Sequence, residues 1–227
     1  KVENWIEYFQ TRGRHHMVRY LQRSTRYMPL MKKILKENGV PEDLIYVALI
    51  ESGFSSHATS RARAVGYWQF IRGTAHHYGL RINGVVDERR DPVRSAEAAA
   101  KYLKDLYSLF GSWYLAMAGY NSGENRVKQA VMKQYTRNFW ELVAAGALPG
   151  ETSEYVPKFL AARLIAQKPE KYGFFDLTFE KPLVFDEVEI TKSVHLPTLA
   201  KQMNVSLEDL KDLNPALLKG IAPFSNN

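Results

Sequence analysis

Apolar residues that recur every three or four positions dominate most of the chain. From residue 14 to residue 38, apolar and basic positions alternate with this helical period, and Asn38-Gly39 predicts the helix end. Further helices are predicted where the period returns, over residues 41–52, 91–109, 113–122, 124–135 and 152–167. The pattern predicts that residues 1–170 are mainly α-helical.

The pattern changes near residue 173. Short apolar runs between residues 174 and 190 have the character of strands. Two compact helices are predicted after them, over residues 196–203 and 207–213. We therefore predict a mainly α protein in two parts, a helical domain of residues 1–173 and a small α+β appendage of residues 174–227.

The predicted helix of residues 41–52 is apolar on nearly all sides. Its spacing places Leu44, Val47, Ala48 and Glu51 on one face, and other apolar residues cover most of the remaining surface. A helix that is apolar all round is a buried helix. We expect Glu51 to lie at the C-terminal end of this buried helix.

Glu51 is the candidate acid of an active site. Desolvation disfavours its ionised form, and the negative end of the helix dipole does the same, so both effects raise its pKa. Cleavage of a glycosidic bond requires a general acid that stays protonated near neutral pH. In the alternative interpretation, Glu51 reaches solvent or pairs with an arginine such as Arg61 or Arg63.

Four short motifs surround this glutamate in sequence order. They are ESGF (51–54) followed by Ser60, GYWQF (66–70), AGYNSG (118–123) and ETSEYV (151–156). In this order and at these spacings, the motifs resemble the goose-lysozyme-like catalytic domain of lytic transglycosylases, in particular the membrane-bound lytic transglycosylase D group. The resemblance covers roughly residues 15–172 and implies an all-α, lysozyme-like fold for that part of the chain.

The resemblance also implies roles for individual residues. Glu51 matches the catalytic acid and base, Tyr155 matches a catalytic tyrosine near the same carboxyl group, and Tyr120 matches a catalytic tyrosine that faces it. The implied substrate-binding residues are Ser60, Trp68, Gln69 and Asn121. A structural interpretation stands beside each role: the tyrosines can be core aromatics with satisfied hydroxyls, and Gln69 can be a loop residue that caps backbone groups.

The implied reaction is cleavage of the glycan strand of peptidoglycan between N-acetylmuramic acid and N-acetylglucosamine. With one glutamate as acid and then base, it closes a 1,6-anhydro ring and consumes no water. Two alternatives stay open. One is a hydrolytic lysozyme on the same fold, with Asp87 or Asp91 as the second carboxylate, and the other is a non-catalytic wall-binding protein.

The arginines beside Ser60 suggest a preference among wall chemistries. Ser60 matches the serine near the N-acetyl group of the reacting sugar, and Arg61 and Arg63 place positive charge next to it. Two arginines that face the cleft would repel a free ammonium group on an N-deacetylated strand. In the alternative arrangement, Arg61 pairs with Glu124 or another acid and contributes a scaffold contact.

The C-terminal part resembles a divergent LysM module, a sugar-binding βααβ unit. Residues 184–222 carry the resemblance, and Asn214 after the second predicted helix fits it. The usual glycine-aspartate-threonine before the first helix is missing, and so is a clear final strand after Ile221. The appendage is therefore expected either to bind sugar or to act as a structural unit packed on the catalytic domain.

Composition limits the remaining function classes. The 227 residues are 45% hydrophobic and 24% charged, which is typical of soluble globular proteins, and no apolar stretch is long enough to predict a membrane span. The absence of cysteine excludes disulfides and thiol catalysis. Adjacent histidines at 15–16 and 76–77 diverge on a helix, so we expect no metal and no cofactor.

Charge and the start of the chain suggest where the protein acts. The net charge of +7 and the pI of about 9.4 favour a polyanionic partner. No nucleic-acid motif is present, so we expect peptidoglycan strands as the partner and no nucleic acid. The expected location is the periplasm or cell envelope, or outside the cell. A leader or lipid anchor removed before Lys1 would give peripheral membrane association.

Overall fold

The structure, a computed structural model, describes residues 1–224. Its α-helices in this range are α1 (Val2–Gln10), α2 (Arg14–Glu37), α3 (Ile45–Ser52), α4 (Arg72–His77), α5 (Pro92–Phe110), α6 (Trp113–Ser122), α7 (Glu124–Gln134), α8 (Phe139–Ala144), α9 (Gly150–Gln167), α10 (Leu196–Met203) and α11 (Leu207–Leu213). Two short strands, β1 (Val194–His195) and β2 (Ile221–Ala222), pair in antiparallel fashion. The predicted fold class, mainly α with a small α+β appendage, is confirmed.

Local sequence explains where helix α5 begins and ends. The Asp91 carboxylate accepts hydrogen bonds from the amides of Val93 (2.9 Å) and Arg94 (2.8 Å), so it caps the first turn of α5. Pro92 suits the first helical position, because an amide there would have no partner inside the helix. Gly111 ends α5 in the left-handed conformation.

Helix α3 lies at the centre of the core, between α2 and α9. Every residue of α3 except Glu51 is buried, as the all-round apolar pattern predicts. The helix ends at Gly53, which has a positive φ of 58°. A Cβ atom at this position would lie 1.8 Å from the Tyr20 ring, so only glycine fits between the end of α3 and α2.

The expectation of strands between residues 174 and 190 is wrong. Residues 174–193 contain no helix or strand. Part of this segment lies along α2, where the amide of Glu180 donates to the Gln22 carbonyl (3.1 Å) and that of Leu183 to the Arg26 carbonyl (2.8 Å). A strand forms only beside the edge of another strand, and the amides of this segment bond carbonyl groups of α2 instead. Apolar side chains such as Val184 therefore have no sheet to pack in and are exposed.

The appendage has the βααβ order expected of a LysM-like unit. The sequence analysis predicts no clear final strand, but the structure has one: β2 consists of two residues and pairs with β1. The appendage contacts the helical part through backbone hydrogen bonds, from the Asp87 amide to the Ala216 carbonyl (2.9 Å) and from the Leu218 amide to the Val85 carbonyl (2.8 Å). Because of these bonds, the division into two domains near residue 173 stays a prediction.

Within residues 1–224, no helix has both the length and the apolar character needed to cross a bilayer.

Candidate active site

The Glu51 side chain lies at the wall of a cavity of about 920 Å³. Glu51 belongs to the last turn of α3, which ends at Gly53. The hydroxyl of Tyr155, on α9, donates a hydrogen bond of 2.5 Å to Glu51 Oε1. The buried helix therefore presents one carboxyl group to a cleft large enough for sugar rings.

Burial raises the pKa of Glu51 above its ordinary value. The hydrogen bond from Tyr155 and the positive charge of Lys158 lower this pKa, and the negative charge of Glu151 raises it. Since burial is the largest of these effects, the net shift is upward. A carboxyl group in this environment holds its proton to higher pH than an exposed glutamate does.

The two expected catalytic tyrosines occupy different places. Tyr155 is buried and bonds Glu51 directly. The Tyr120 hydroxyl instead donates to the Trp68 carbonyl at 2.7 Å. Tyr120 lines the cavity. Burial is the main cause of the raised pKa of Tyr120, and the negative charge of Glu51 is the second cause, so the two side chains interact electrostatically. The two tyrosines thus support different parts of the site.

Ser60 and Gln69 line the cavity from a loop of residues 58–70, which we call the loop wall. Ser60 Oγ accepts a hydrogen bond from the Ala64 amide (3.1 Å). Gln69 Nε2 donates to the carbonyls of Ala58 (3.2 Å) and Gly66 (2.9 Å). Both side chains therefore stabilise the loop through backbone groups and face the cavity as well.

The loop wall is held from behind by a buried ion pair. Arg89 bonds both carboxylate oxygens of Asp87, through Nε at 2.9 Å and Nη2 at 2.8 Å. Its Nη1 donates to the carbonyls of Arg63 (3.2 Å) and Phe70 (3.1 Å). A Cβ atom at Gly66 would lie 1.9 Å from the Arg89 carbonyl oxygen, so the loop needs glycine there to pack this closely.

These contacts exclude the aspartates considered as a second catalytic carboxylate. Asp87 is buried and paired with Arg89. Asp91 accepts hydrogen bonds from the first turn of α5. Neither residue lines the cavity that contains Glu51, so the hydrolytic alternative loses both candidates.

The two arginines beside Ser60 differ in position. Arg61 lines the cavity, and Arg63 does not. In the described part of the chain, neither side chain forms an ion pair, so the alternatives that pair Glu51 with Arg61 or Arg63, or Arg61 with Glu124, do not hold. Arg61, next to Ser60 in sequence, and Arg126 on α7 are therefore the arginines of the described chain that line the cavity.

Trp68 departs from the expected substrate-binding role. Its side chain is fully buried and does not line the cavity. The positive φ of Gln69 (51°) reverses the chain after Trp68, so the indole turns into the core and Gln69 faces the cleft. The indole nitrogen has no hydrogen-bond partner within residues 1–224. The correction leaves Trp68 as a core residue that supports the loop wall.

Asn121 lines the cavity and links α6 to α9. Its Nδ2 donates to Glu151 Oε1 (3.2 Å), and its Oδ1 accepts from the Thr152 hydroxyl (2.9 Å). Asn121 is thus available to a substrate from a fixed position.

The sequence reasoning missed Glu151 and Lys158 as neighbours of Glu51. Glu151, Tyr155 and Lys158 stand at i, i+4 and i+7 of α9, so one helix face presents all three towards the end of α3. This spacing could have identified them, because the role of Tyr155 was already assigned.

Two family models match this chain. The family described as Transglycosylase SLT domain matches residues 29–143. The family described as Lytic transglycosylase MltD, LysM-like domain matches residues 184–227. The chain is 36% identical over 197 residues to the membrane-bound lytic murein transglycosylase D of Escherichia coli K12, a match that covers 85% of this chain and 43% of that protein. The chain therefore spans less than half of that relative.

Two further relatives match a smaller share of the chain. The peptidoglycan transglycosylase gp16 of phage T7 is 37% identical over 114 residues, which cover 49% of this chain and 9% of that protein. The crystal structure of the 70 kDa soluble lytic transglycosylase of E. coli superposes with a TM-score of 0.55 and 25% identity, over 63% of this chain and 24% of that one.

Proposed function

Because the chain belongs to the transglycosylase SLT domain family, we propose that it cleaves the glycan strand of bacterial peptidoglycan. The scissile bond in this proposal joins N-acetylmuramic acid to N-acetylglucosamine. Glu51 acts first as the acid and then as the base, and the products carry 1,6-anhydro ends.

The environment of Glu51 carries the proposal. Burial raises the pKa of this carboxyl group, and the group still opens on the cavity and accepts a 2.5 Å hydrogen bond from Tyr155. A proton donor to a glycosidic oxygen needs both properties, since it must be protonated before the reaction and must reach the substrate. A protein that only binds the wall needs no raised pKa at this position.

The proposed reaction has two proton transfers. Protonated Glu51 gives its proton to the glycosidic oxygen, the bond from that oxygen to C1 breaks, and positive charge develops at C1. The acetamido carbonyl oxygen of the muramic sugar stabilises that charge. The Glu51 carboxylate, now hydrogen-bonded by Tyr155, takes the proton of the C6 hydroxyl, and the C6 oxygen closes on C1. Glu51 ends protonated, and no water is consumed.

The other carboxylates of the cavity favour a single-acid reaction. Among the described residues that line the cavity, the other acids are Glu124 and Glu151, and both are exposed. The Glu151 carboxylate is bonded to Asn121. A hydrolytic enzyme uses a second carboxylate as nucleophile or base, and this alternative would now require Glu124 or Glu151 in that role.

Turnover of purified sacculi by the wild type and two matched variants tests the proposal. We expect soluble glycan fragments from the wild type, none above background from Glu51→Gln, and release well above background from Glu151→Gln, whose amide oxygen can still accept the hydrogen bond from Asn121. Glu151→Gln is the matched control because it makes the same chemical change on the same cavity. If the wild-type protein bound sacculi but released no fragments, the non-catalytic alternative, a protein that only binds the cell wall, would hold.

The proposed substrate places the action of the protein in the bacterial cell envelope. The E. coli relative is described as membrane-bound. Peripheral association of this protein with the membrane through an N-terminal anchor stays a prediction, which fractionation of cells that express the full-length gene product would test.

A further inference from the structure

A lysine lies behind Glu51, on the side away from the cavity. Lys158 Nζ donates a hydrogen bond to the carbonyl of Ile50 (3.1 Å), the residue before Glu51. This carbonyl belongs to the last turn of α3, where carbonyl groups lack partners inside the helix. The amide of Gly53 satisfies the Leu49 carbonyl, and Lys158 satisfies the next one. The lysine therefore anchors the turn that carries Glu51.

Trp5, on α1, covers this lysine. Lys158 Nζ lies 5.7 Å from the centroid of the Trp5 ring, which is within the range of a cation–π interaction. The Trp5 indole is itself fixed, because its nitrogen donates to Glu154 Oε2 at 3.0 Å. Helix α1 packs along α9, and it lies outside the residues that match the family, 29–143. The N-terminal helix thus closes the back of the site.

The contacts of Lys158 within the described part of the chain include no carboxylate. Within residues 1–224 the lysine forms no ion pair, although it is half-buried. Burial lowers its pKa, whereas the charges of Glu51 and Glu151 raise it. A partly desolvated cation with an aromatic ring and one carbonyl as partners costs stability. Such a cost is expected where the charge contributes to a site.

From this geometry we propose that Lys158 is a positioning residue for Glu51. Its hydrogen bond to Ile50 holds the end of α3 so that Glu51 faces the cavity, and its positive charge, covered by the Trp5 ring, favours the carboxylate form of Glu51. The proposal rests on the proposed function in one respect, that Glu51 is the general acid.

The charged and titratable groups around Glu51 fix the sign of the effect. On α9 they are Tyr155, Lys158 and Glu151, and on α6 the group is Tyr120. Of these, Lys158 is the cation, and it favours the carboxylate form. Without its charge, the pKa of Glu51 rises, so the protonated acid persists to higher pH and the alkaline limb of kcat/KM moves up.

Titration of Glu51 by NMR tests this inference without any turnover. Protein labelled with ¹³C at the glutamate carboxyl carbons is titrated, and the Glu51 signal is identified by its absence in Glu51→Gln. We expect the Glu51 midpoint to move to higher pH in Lys158→Met and in Lys158→Gln, and to stay at the wild-type pH in Lys158→Arg. Lys158→Gln keeps a hydrogen-bond donor without the charge, so it separates charge from anchoring.

The substitution Trp5→Leu tests the same inference if the Lys158 variants fail to fold. It leaves Lys158 in place and exposes it to water, which weakens its field at Glu51 and should give a smaller upward shift. An unchanged Glu51 midpoint in Lys158→Met, or in Trp5→Leu if only that variant folds, would overturn the inference. Failure of the proposed function would appear elsewhere, as wild-type protein that leaves sacculi intact while its Glu51 midpoint still depends on Lys158.

Discussion

Two of the walls that line the cavity are built in opposite ways. The helix wall, formed by α3 and α9, presents Glu51 from a helix that is otherwise buried, with Tyr155 bonded to it. The loop wall of residues 58–70 is exposed at Ser60 and Arg61 and is held by backbone hydrogen bonds. The helix wall controls a proton through burial, and the loop wall presents polar groups that remain in contact with water.

This difference assigns different kinetic effects to the two walls. Changes on the helix wall should alter kcat and the pH dependence, because they act on the proton of Glu51. Changes on the loop wall should alter KM or the choice of substrate, because they act on groups that touch the sugar. Each of the following variants can break this division.

Glu51→Gln should have the largest effect. Loss of the acid and base should lower turnover of sacculi by about 10²- to 10⁴-fold. Because burial raises the folded-state pKa of Glu51, its ionisation destabilises the fold as pH rises from the unfolded-state pKa through the folded-state one. The variant should therefore unfold at the same or a higher temperature than the wild type at neutral pH. A thermal scan at two pH values measures this, and activity within tenfold of wild type would remove Glu51 from the mechanism.

Tyr155→Phe should come second. The hydroxyl stabilises the Glu51 carboxylate, and a hydrogen bond to a charged group contributes ~1.5–3 kcal/mol, so kcat should fall about tenfold or more. The same loss raises the pKa of Glu51, which moves the alkaline limb of kcat/KM to higher pH. A pH profile with an unmoved limb would show that Tyr155 serves packing alone.

Tyr120→Phe should have a smaller and different effect. Its hydroxyl bonds the Trp68 carbonyl on the loop wall, and a neutral hydrogen bond contributes ~0.5–1.5 kcal/mol. We expect KM to rise about threefold while the pH profile keeps its wild-type shape. Steady-state kinetics across pH compares Tyr120→Phe with Tyr155→Phe. Equal shifts of the alkaline limb of kcat/KM in both variants would contradict the division between the walls.

Arg61→Gln should have the smallest effect on native sacculi and should change substrate choice. Arg61 lines the cavity beside Ser60, so its removal should raise the rate on N-deacetylated strands relative to N-acetylated ones by about twofold to fivefold. The matched control is Arg63→Gln, because Arg63 lies off the cavity. The same ratio of rates in wild type and Arg61→Gln would remove Arg61 from substrate selection.

The sequence predicts the helix wall well, because its signals are local. The apolar run of residues 45–50 is enough to predict a buried helix, and Gly53 predicts its end, so the position of Glu51 follows from a few neighbouring residues. The family resemblance of the helical part and the LysM-like resemblance of the appendage are confirmed by the matches to residues 29–143 and 184–227.

The sequence predicts the loop wall and the appendage less well. Positive φ values at Arg63 and Gln69 reverse the chain, so Trp68 points into the core although its neighbour faces the cleft. Residues 174–190 contain short apolar runs like those of strands, yet part of the segment lies along α2, because such runs do not specify a partner. Lys158 was missed because its partners, Trp5 and Ile50, are distant in sequence.

The chemical form of the product ends tests the central claim most directly. Sacculi are digested with the wild-type protein, and the soluble muropeptides are analysed by mass spectrometry with and without borohydride reduction. A single-acid reaction at Glu51 predicts 1,6-anhydro ends, which lack the mass of one water and resist reduction, and predicts none from Glu51→Gln. Reducible N-acetylmuramic acid ends would contradict the account and would favour water as the nucleophile, with Glu124 or Glu151 as the second carboxylate.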